Sequence, residues 1–201
     1  VHHDDIEARA IYKPHRGERP LWDFPSGLFR REVAAFELGE AMGWHLVPTT
    51  VLRDGPFGEG SLQWFVEADF RQHYFPLQET RPELHDQFRR FAVFDVVANN
   101  TDRKSGHCLI DRNDRIWGID NGLCFSAEFK LRTVIWEFGG EELTDEHRAA
   151  LTPLTTAVPL RVAALLDDDE VAAISERARL LLESGVLPVD RSGRRYPWPL
   201  V

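Results

Sequence analysis

The run Asn99-Asn100-Thr101-Asp102-Arg103-Lys104-Ser105-Gly106-His107-Cys108-Leu109-Ile110 and its continuation Ile116-Trp117-Gly118-Ile119-Asp120-Asn121-Gly122-Leu123-Cys124-Phe125 decide how this chain is read. Between them, Asp111-Arg112-Asn113-Asp114 has the composition of a tight turn, so residues 107–110 and 116–119 are expected to pair as a hairpin. A hairpin holds its two ends side by side. Asp102 ahead of the first strand, His107 at its start and Asp120 at the end of the second should therefore converge. Phosphoryl transfer needs such a cluster: one carboxylate to orient or deprotonate a hydroxyl, and oxygen or nitrogen ligands to hold a divalent ion on the phosphates.

At 201 residues the chain is long enough for one domain or two small lobes, and its 43% hydrophobic and 28% charged residues are those of an ordinary globular protein. A net charge of −9 argues against a nucleic-acid partner held by phosphate neutralisation, and against stable attachment to an anionic membrane. No apolar run approaches a membrane span and no secretory signal is visible. Cys108 and Cys124 are too few for a disulfide framework or a four-cysteine zinc site, so a reducing cytoplasm is the expected compartment. The chain opens at Val1 partway into a strand, and an N-terminal segment is expected ahead of it.

In chain order, residues 6–13 read as a strand ended by Pro14. Lys13 closes it, either reaching toward phosphates from the sheet or standing solvated. Residues 15–27 form an irregular loop that Trp22 and Phe24 should pin. Ser26 is placed to cap a helix to about Met42, with Ala34, Leu38, Ala41 and Met42 on one face and Gly43 ending it. Glu32 either pairs with Lys13 or merely complements the helix dipole. Strands are expected over 46–52 and 61–66. The glycine-bearing link 53–60 fits neither phosphate-loop spacing and reads as a hairpin connection.

Pro82 should open a helix to about Ala98, with Leu84, Phe88, Phe91, Ala92 and Val96 inward. Asp95 lies near that stripe and needs hydrogen bonds, expected from the backbone of the next loop. Beyond Phe125 the pattern is helical: Thr144 to Leu151, Pro159 to Leu166, and 169–184 ended by Gly185. Leu166, Ile174, Ala178 and Leu181 should be core. Asp167-Asp168-Asp169 reads as helix-start acids rather than a metal cluster. The tail 191–201 should dock through Trp198, and His2 and His3 read as incidental.

Asn100-Thr101-Asp102-Arg103 followed by Ile119-Asp120-Asn121-Gly122-Leu123 and Phe125 resembles the catalytic and metal-binding segments of the phosphatidylinositol 3/4-kinase superfamily. The type II phosphatidylinositol 4-kinases and the HipA-type kinases are similar in layout, and the nearest branch is uncharacterised and bacterial, many of its members actinobacterial. The specific match covers about 25 residues, and a looser order of elements spans most of the chain. The resemblance implies an α+β, atypical protein-kinase-like two-lobed fold: a β-rich N-lobe over 1–67, small and possibly truncated, and a mainly helical C-lobe over 68–201 that carries the catalytic hairpin.

It implies an ATP-dependent phosphotransferase using Mg²⁺ or Mn²⁺ and a hydroxyl acceptor on a protein or small molecule. Asp102 would be the catalytic base, with Arg103 and Lys104 stabilising charge on the transferred group. Asp120 and His107 would hold the metal. Lys13 would meet the α/β-phosphates with Glu32 holding it. Phe65, Val66 and Glu67, where the chain crosses between lobes, and Ile119 would meet the nucleotide. His107 stands where these families carry an asparagine; its nitrogen suits Mn²⁺ better than Mg²⁺. No glycine-rich phosphate-covering loop and no palmitoylation cysteines are present, so the likeness favours the chemistry over a lipid substrate. A nucleotide-binding pseudokinase and an adenylyl-transferring enzyme are the alternatives.

Overall fold

The computed structural model describes the backbone of His2–His3 and Ile6–Glu7 and the whole of residues 8–201. The side chains of His2 and His3 lie outside the described residues. The expected first strand is divided. β1 (His2–His3) pairs with β2 (Ile6–Glu7), and β3 (Ala10–Pro14) belongs to another sheet. Pro14 is tolerated as the last residue of β3, where a missing N–H costs little.

α1 (Leu28–Ala41) buries Val33, Ala34, Ala35 and Leu38, whereas Ala41 is exposed. Ser26 does not cap it. Gly27 turns left-handed at φ 98°, and Ser26 bonds His15 instead at 2.6 Å. The cap comes from the preceding loop: the Glu18 carboxylate accepts the N–H groups of Gly27 and Phe29, both at 2.9 Å. Gly43, at φ 72°, lies just past the helix as expected.

β4 (Thr50–Gly55) and β5 (Gly58–Trp64) form a hairpin and complete a three-stranded antiparallel sheet in the order β3-β5-β4. Expected starts at 46 and 61 are both displaced. Pro48 cannot donate to a ladder, so Leu46 and Val47 pack as buried loop residues and pairing begins at Thr50. On the other strand, pairing continues through the glycines to a tight turn between Gly55 and Gly58. α1 packs against β4 and β5, which puts Lys13, opposite Ser61, beside the helix.

α2 (Tyr74–Thr80) and a 3₁₀ turn at Pro82–Leu84 lead into α3 (His85–Ala98), the centre of the helical part. Phe88, Phe91 and Phe94 on it are fully buried. β6 (Cys108–Ile110) and β7 (Ile116–Gly118) form the expected hairpin, shorter by a residue at the outer end of each strand. α4 (Asp145–Leu151) is capped by Thr144, whose hydroxyl accepts the His147 N–H at 3.2 Å. α5 (Leu160–Ala163) stops three residues early, and Leu166 is only partly buried. α6 (Asp168–Ser184) starts at the acidic run as expected, adding Ile174, Ala178 and Leu181 to the core before Gly185 ends it.

A small antiparallel sheet thus precedes a mainly helical remainder, as the α+β reading expected. Two tryptophan expectations fail. Phe24 is buried, but Trp22 is 96% exposed and pins nothing. Trp198 is 87% exposed; the tail docks instead through buried Pro197 and two carbonyls, Leu200 accepting the Ser105 N–H at 2.8 Å and Arg195 the Thr133 N–H at 3.2 Å.

Asp95 is fully buried, and its partners are side chains rather than loop backbone. The Arg103 guanidinium donates through Nε at 3.1 Å and Nη2 at 2.9 Å, and Asn100 and Thr133 add bonds at 3.2 Å each. Burial alone would discourage the guanidinium charge, but the Asp95 carboxylate overrides it and holds the Arg103 pKa above its ordinary value. Removing one partner strands the other. Asp95→Asn or Arg103→Met should each cost about 3–5 kcal/mol in urea unfolding, with a double replacement by apolar residues recovering much of it. A single-variant loss under about 1 kcal/mol would contradict this.

Candidate functional site

α3 ends at Asn99, left-handed at φ 50°, whose side chain ties down Ser126, Glu128 and Lys130 of a later segment. Asn100 then accepts the Asp102 N–H at 2.9 Å, a local turn that sets the acid's direction. The Thr101 N–H and hydroxyl both donate to the Leu123 carbonyl, at 3.0 and 2.9 Å. The loop bearing Asp102 is therefore bonded to the segment that follows Asp120. Arg103, from the same loop, also donates to the Ile119 carbonyl at 3.2 Å and to Asn121 Oδ1 at 2.8 Å.

Asp120 sits at φ 58°, a conformation that short polar residues tolerate, and this turns the chain out of β7. The following Asn121 N–H donates to Glu32 Oε2 at 3.0 Å. Lys13 Nζ reaches across from the sheet to Asp120 Oδ1 at 2.7 Å and also bonds Glu32. Glu32 does pair with Lys13 and is not merely a helix-start acid. Lys104 Nζ stands 3.1 Å from Asp102 Oδ2, and His107 Nε2 stands 3.4 Å from Asp120 Oδ2. Asp102, His107 and Asp120 each offer a ligand atom within 4.8 Å of the others.

Each group is tuned by this packing. Partial burial raises the Asp102 carboxyl above its ordinary range, and Lys104 only partly offsets that. Burial pushes the same way on Asp120, but Lys13 outweighs it and holds this carboxyl low. Lys13 is itself raised: burial opposes its charge, and Glu32 and Asp120 overcome that. Burial lowers His107 to about 4 despite Asp120, which leaves a neutral imidazole at physiological pH. A neutral ring can offer a nitrogen lone pair to a cation. Two carboxylates and that nitrogen suit Mn²⁺ or another transition ion better than Mg²⁺, which prefers oxygen throughout.

A cavity of about 370 Å³ opens on this cluster, lined by Lys13, Glu32, Asp102 and Asp120. Its other walls include Glu18, Arg19, Leu28, Phe29 and Leu123, of which only Leu123 stood in a motif that the sequence reading quoted. Glu18 left no local signal, since its cap partners lie nine and eleven residues on. Phe65, Val66 and Glu67 line a separate cavity of about 500 Å³ with Trp117 of β7 and the hairpin turn. There the Arg9 guanidinium lies 4.5 Å over the Phe65 ring and bonds Glu67. Ile119 lines neither; its N–H donates to the His107 carbonyl at 3.0 Å. Arg103, expected at the reacting group, is fully buried and directed at Asp95, so its place is beneath the cluster. Lys104 is the basic residue beside Asp102.

Protein Rv2133c of Mycobacterium tuberculosis is 37% identical over 231 aligned positions, which cover 94% of this chain and 82% of that protein. The chain belongs to the Rv2133c family. No family model matches the sequence. Among solved structures, the Helicobacter pylori proinflammatory kinase CtkA aligns over 80% of this chain and 81% of its own, with 12% identity and a TM-score of 0.48. No helix among the described residues is long and apolar enough to cross a membrane.

The His107 environment has a measurable sign. Its folded pKa, about 4, lies below the ordinary 6.5, so the unfolded chain binds more protons between those values. Stability should fall as pH drops from about 6.5 to 4, and His107→Gln should flatten that slope. A His107 imidazole, assigned through its loss in His107→Gln, that titrates near 6.5 by NMR in the folded protein would contradict this.

Proposed function

We propose that this chain is an ATP-dependent phosphotransferase of the phosphatidylinositol 3/4-kinase-like type, moving the γ-phosphate to a hydroxyl on a protein or small molecule. The observation that carries the reading is the gathering of the Asp102, His107 and Asp120 ligand atoms within 4.8 Å, with Lys13 joining Glu32 to Asp120. In this reading residues 1–67 form the N-lobe, residues 68–201 the C-lobe, and the nucleotide lies between them.

Asp102 takes the proton of the acceptor hydroxyl. Its raised pKa makes it a stronger base than an exposed aspartate, and Lys104 holds its orientation. Lys13 binds the α/β-phosphates and Glu32 fixes its rotamer from α1. Asp120 and His107 are the residues that would hold a divalent ion, which supplies neutralisation of phosphate charge when bound. Around this cavity Glu18, Glu32, Asp102 and Asp120 stand against Lys13, Arg19 and Lys104, so the described groups keep a small excess of negative charge. That excess favours cation entry before or with the triphosphate. Phe65, Val66 and Glu67 are the candidate base-binding wall. Arg103 is a positioning residue for both acids. The His107 nitrogen, in place of an asparagine oxygen, also fits a pseudokinase that binds nucleotide without turnover.

Thermal-shift titration with ATP plus Mn²⁺ or Mg²⁺ should raise the unfolding midpoint, with Mn²⁺ the more effective. Asp102→Asn should lower turnover by about 10²–10⁴-fold and leave the nucleotide-induced shift intact. Asp120→Asn should remove the metal-dependent part of that shift, and Lys13→Met should weaken it. Mass spectrometry of the acceptor should find added phosphate rather than adenylate. Stabilisation by nucleotide with no ATP consumption across acceptor pools would favour the pseudokinase. Full activity of Asp102→Asn would overturn the role given to that residue.

A further inference from the structure

α6 carries Ala173, Arg177, Leu180 and Ser184 at spacings of three and four, so these side chains share one stripe. The stripe forms one wall of a cavity of about 710 Å³, closed opposite by Phe129 and by residues 186–189. This is within the range of ligand pockets, roughly 300–1,000 Å³. It is also apolar where a surface should not be: Phe129, Leu180 and Val189, all large, are each exposed by 44–55%.

The polar lining of the cavity is Glu176, Ser184 and Arg191, all exposed, together with Arg177, which is only 6% exposed. Its Nε donates to the Val97 carbonyl at 2.7 Å and its Nη1 to the Ser126 carbonyl at 3.2 Å, but Nη2 has no hydrogen-bond partner. No described carboxylate lies in ion-pair contact with it. Glu170, which acts on it at a distance, is bonded to Arg31 at 2.5 Å, and Glu176 is held by Arg179 at 2.6 Å. Burial without an anion lowers the guanidinium pKa to about 10. An uncompensated buried cation is costly, and an anion supplied from outside would relieve it with a charge-assisted hydrogen bond.

We propose that this cavity binds a medium- to long-chain aliphatic carboxylate, its chain along Leu180, Phe129 and Val189 and its head group on Arg177. Arg177 lines the cavity but its Nη2 is itself sealed from solvent, so seating the carboxylate on it requires neighbouring side chains to shift. The site is independent of the phosphotransfer reading, because none of these residues lines the cavity at Asp102.

Titration calorimetry and methyl NMR of the full chain with decanoate, and with decanamide as the neutral isostere, test this. Decanoate should bind saturably at one site below its micellar concentration and about tenfold more tightly than decanamide. Arg177→Met should bring the two affinities within about twofold of each other. Leu180→Glu, on an exposed face, should weaken decanoate by more than about tenfold without lowering the unfolding midpoint. If Arg177→Met fails to fold, the Leu180→Glu result and the comparison of the two ligands decide. Absence of saturable decanoate binding, equal affinity for both ligands, or parental binding by Leu180→Glu would each overturn the proposal.

Discussion

The Arg103 guanidinium is sealed from water and joins three segments that are separate in sequence. It grips Asp95 near the end of α3, belongs by its backbone to the loop that presents Asp102, and bonds the Ile119 carbonyl and Asn121 on either side of Asp120. A planar fork with five donors and a permanent charge suits this task, and a lysine could not replace it. Its backbone is tied as well: the Arg103 N–H donates to Arg132, and its carbonyl accepts from Val134. The two acids keep their separation because the arginine beneath them cannot move without leaving Asp95 buried and unpaired.

On this base the site is assembled by long-range bonds. Glu32 from α1 accepts the Asn121 N–H, and Lys13 from β3 donates to both Glu32 and Asp120. The sheet and α1 are thus coupled to the hairpin exit through a chain of charged contacts around one cavity. Different cationic neighbours within that chain separate two aspartates of the same intrinsic acidity: burial raises both, Lys104 only partly offsets it at Asp102, and Lys13 outweighs it at Asp120. Distinct environments for chemically identical groups are what acid–base chemistry beside cation binding requires.

Much of this was legible in the sequence because it is local. A turn-rich tetrad between two apolar runs specifies a hairpin, and a hairpin fixes where Asp102, His107 and Asp120 lie relative to one another. Helix starts at Thr144 and the acidic run, and the helix stops at Gly43 and Gly185, were readable for the same reason. What failed depended on distant partners. Asp95 in an apolar stripe announced a need for hydrogen bonds, but nothing local distinguished the Arg103 side chain from loop backbone as the donor. Ser26 looked like a cap, yet Gly27 turns it away and Glu18 takes over from the far side of the loop. Trp198 is a larger apolar group than Pro197, yet the proline is the residue buried, since main-chain carbonyls rather than side-chain bulk fix the tail. Arg177 gave no signal because its isolation appears only once α6 packs on α3.

The most direct test of the account is a crystal structure with a non-hydrolysable ATP analogue and Mn²⁺, the ion located by its anomalous signal. One manganese peak should appear bonded to Asp120 and His107, with the α/β-phosphates against Lys13 and the γ-phosphate facing Asp102. A manganese ion bound away from Asp120, or a triphosphate out of reach of both Lys13 and Asp102, would contradict it.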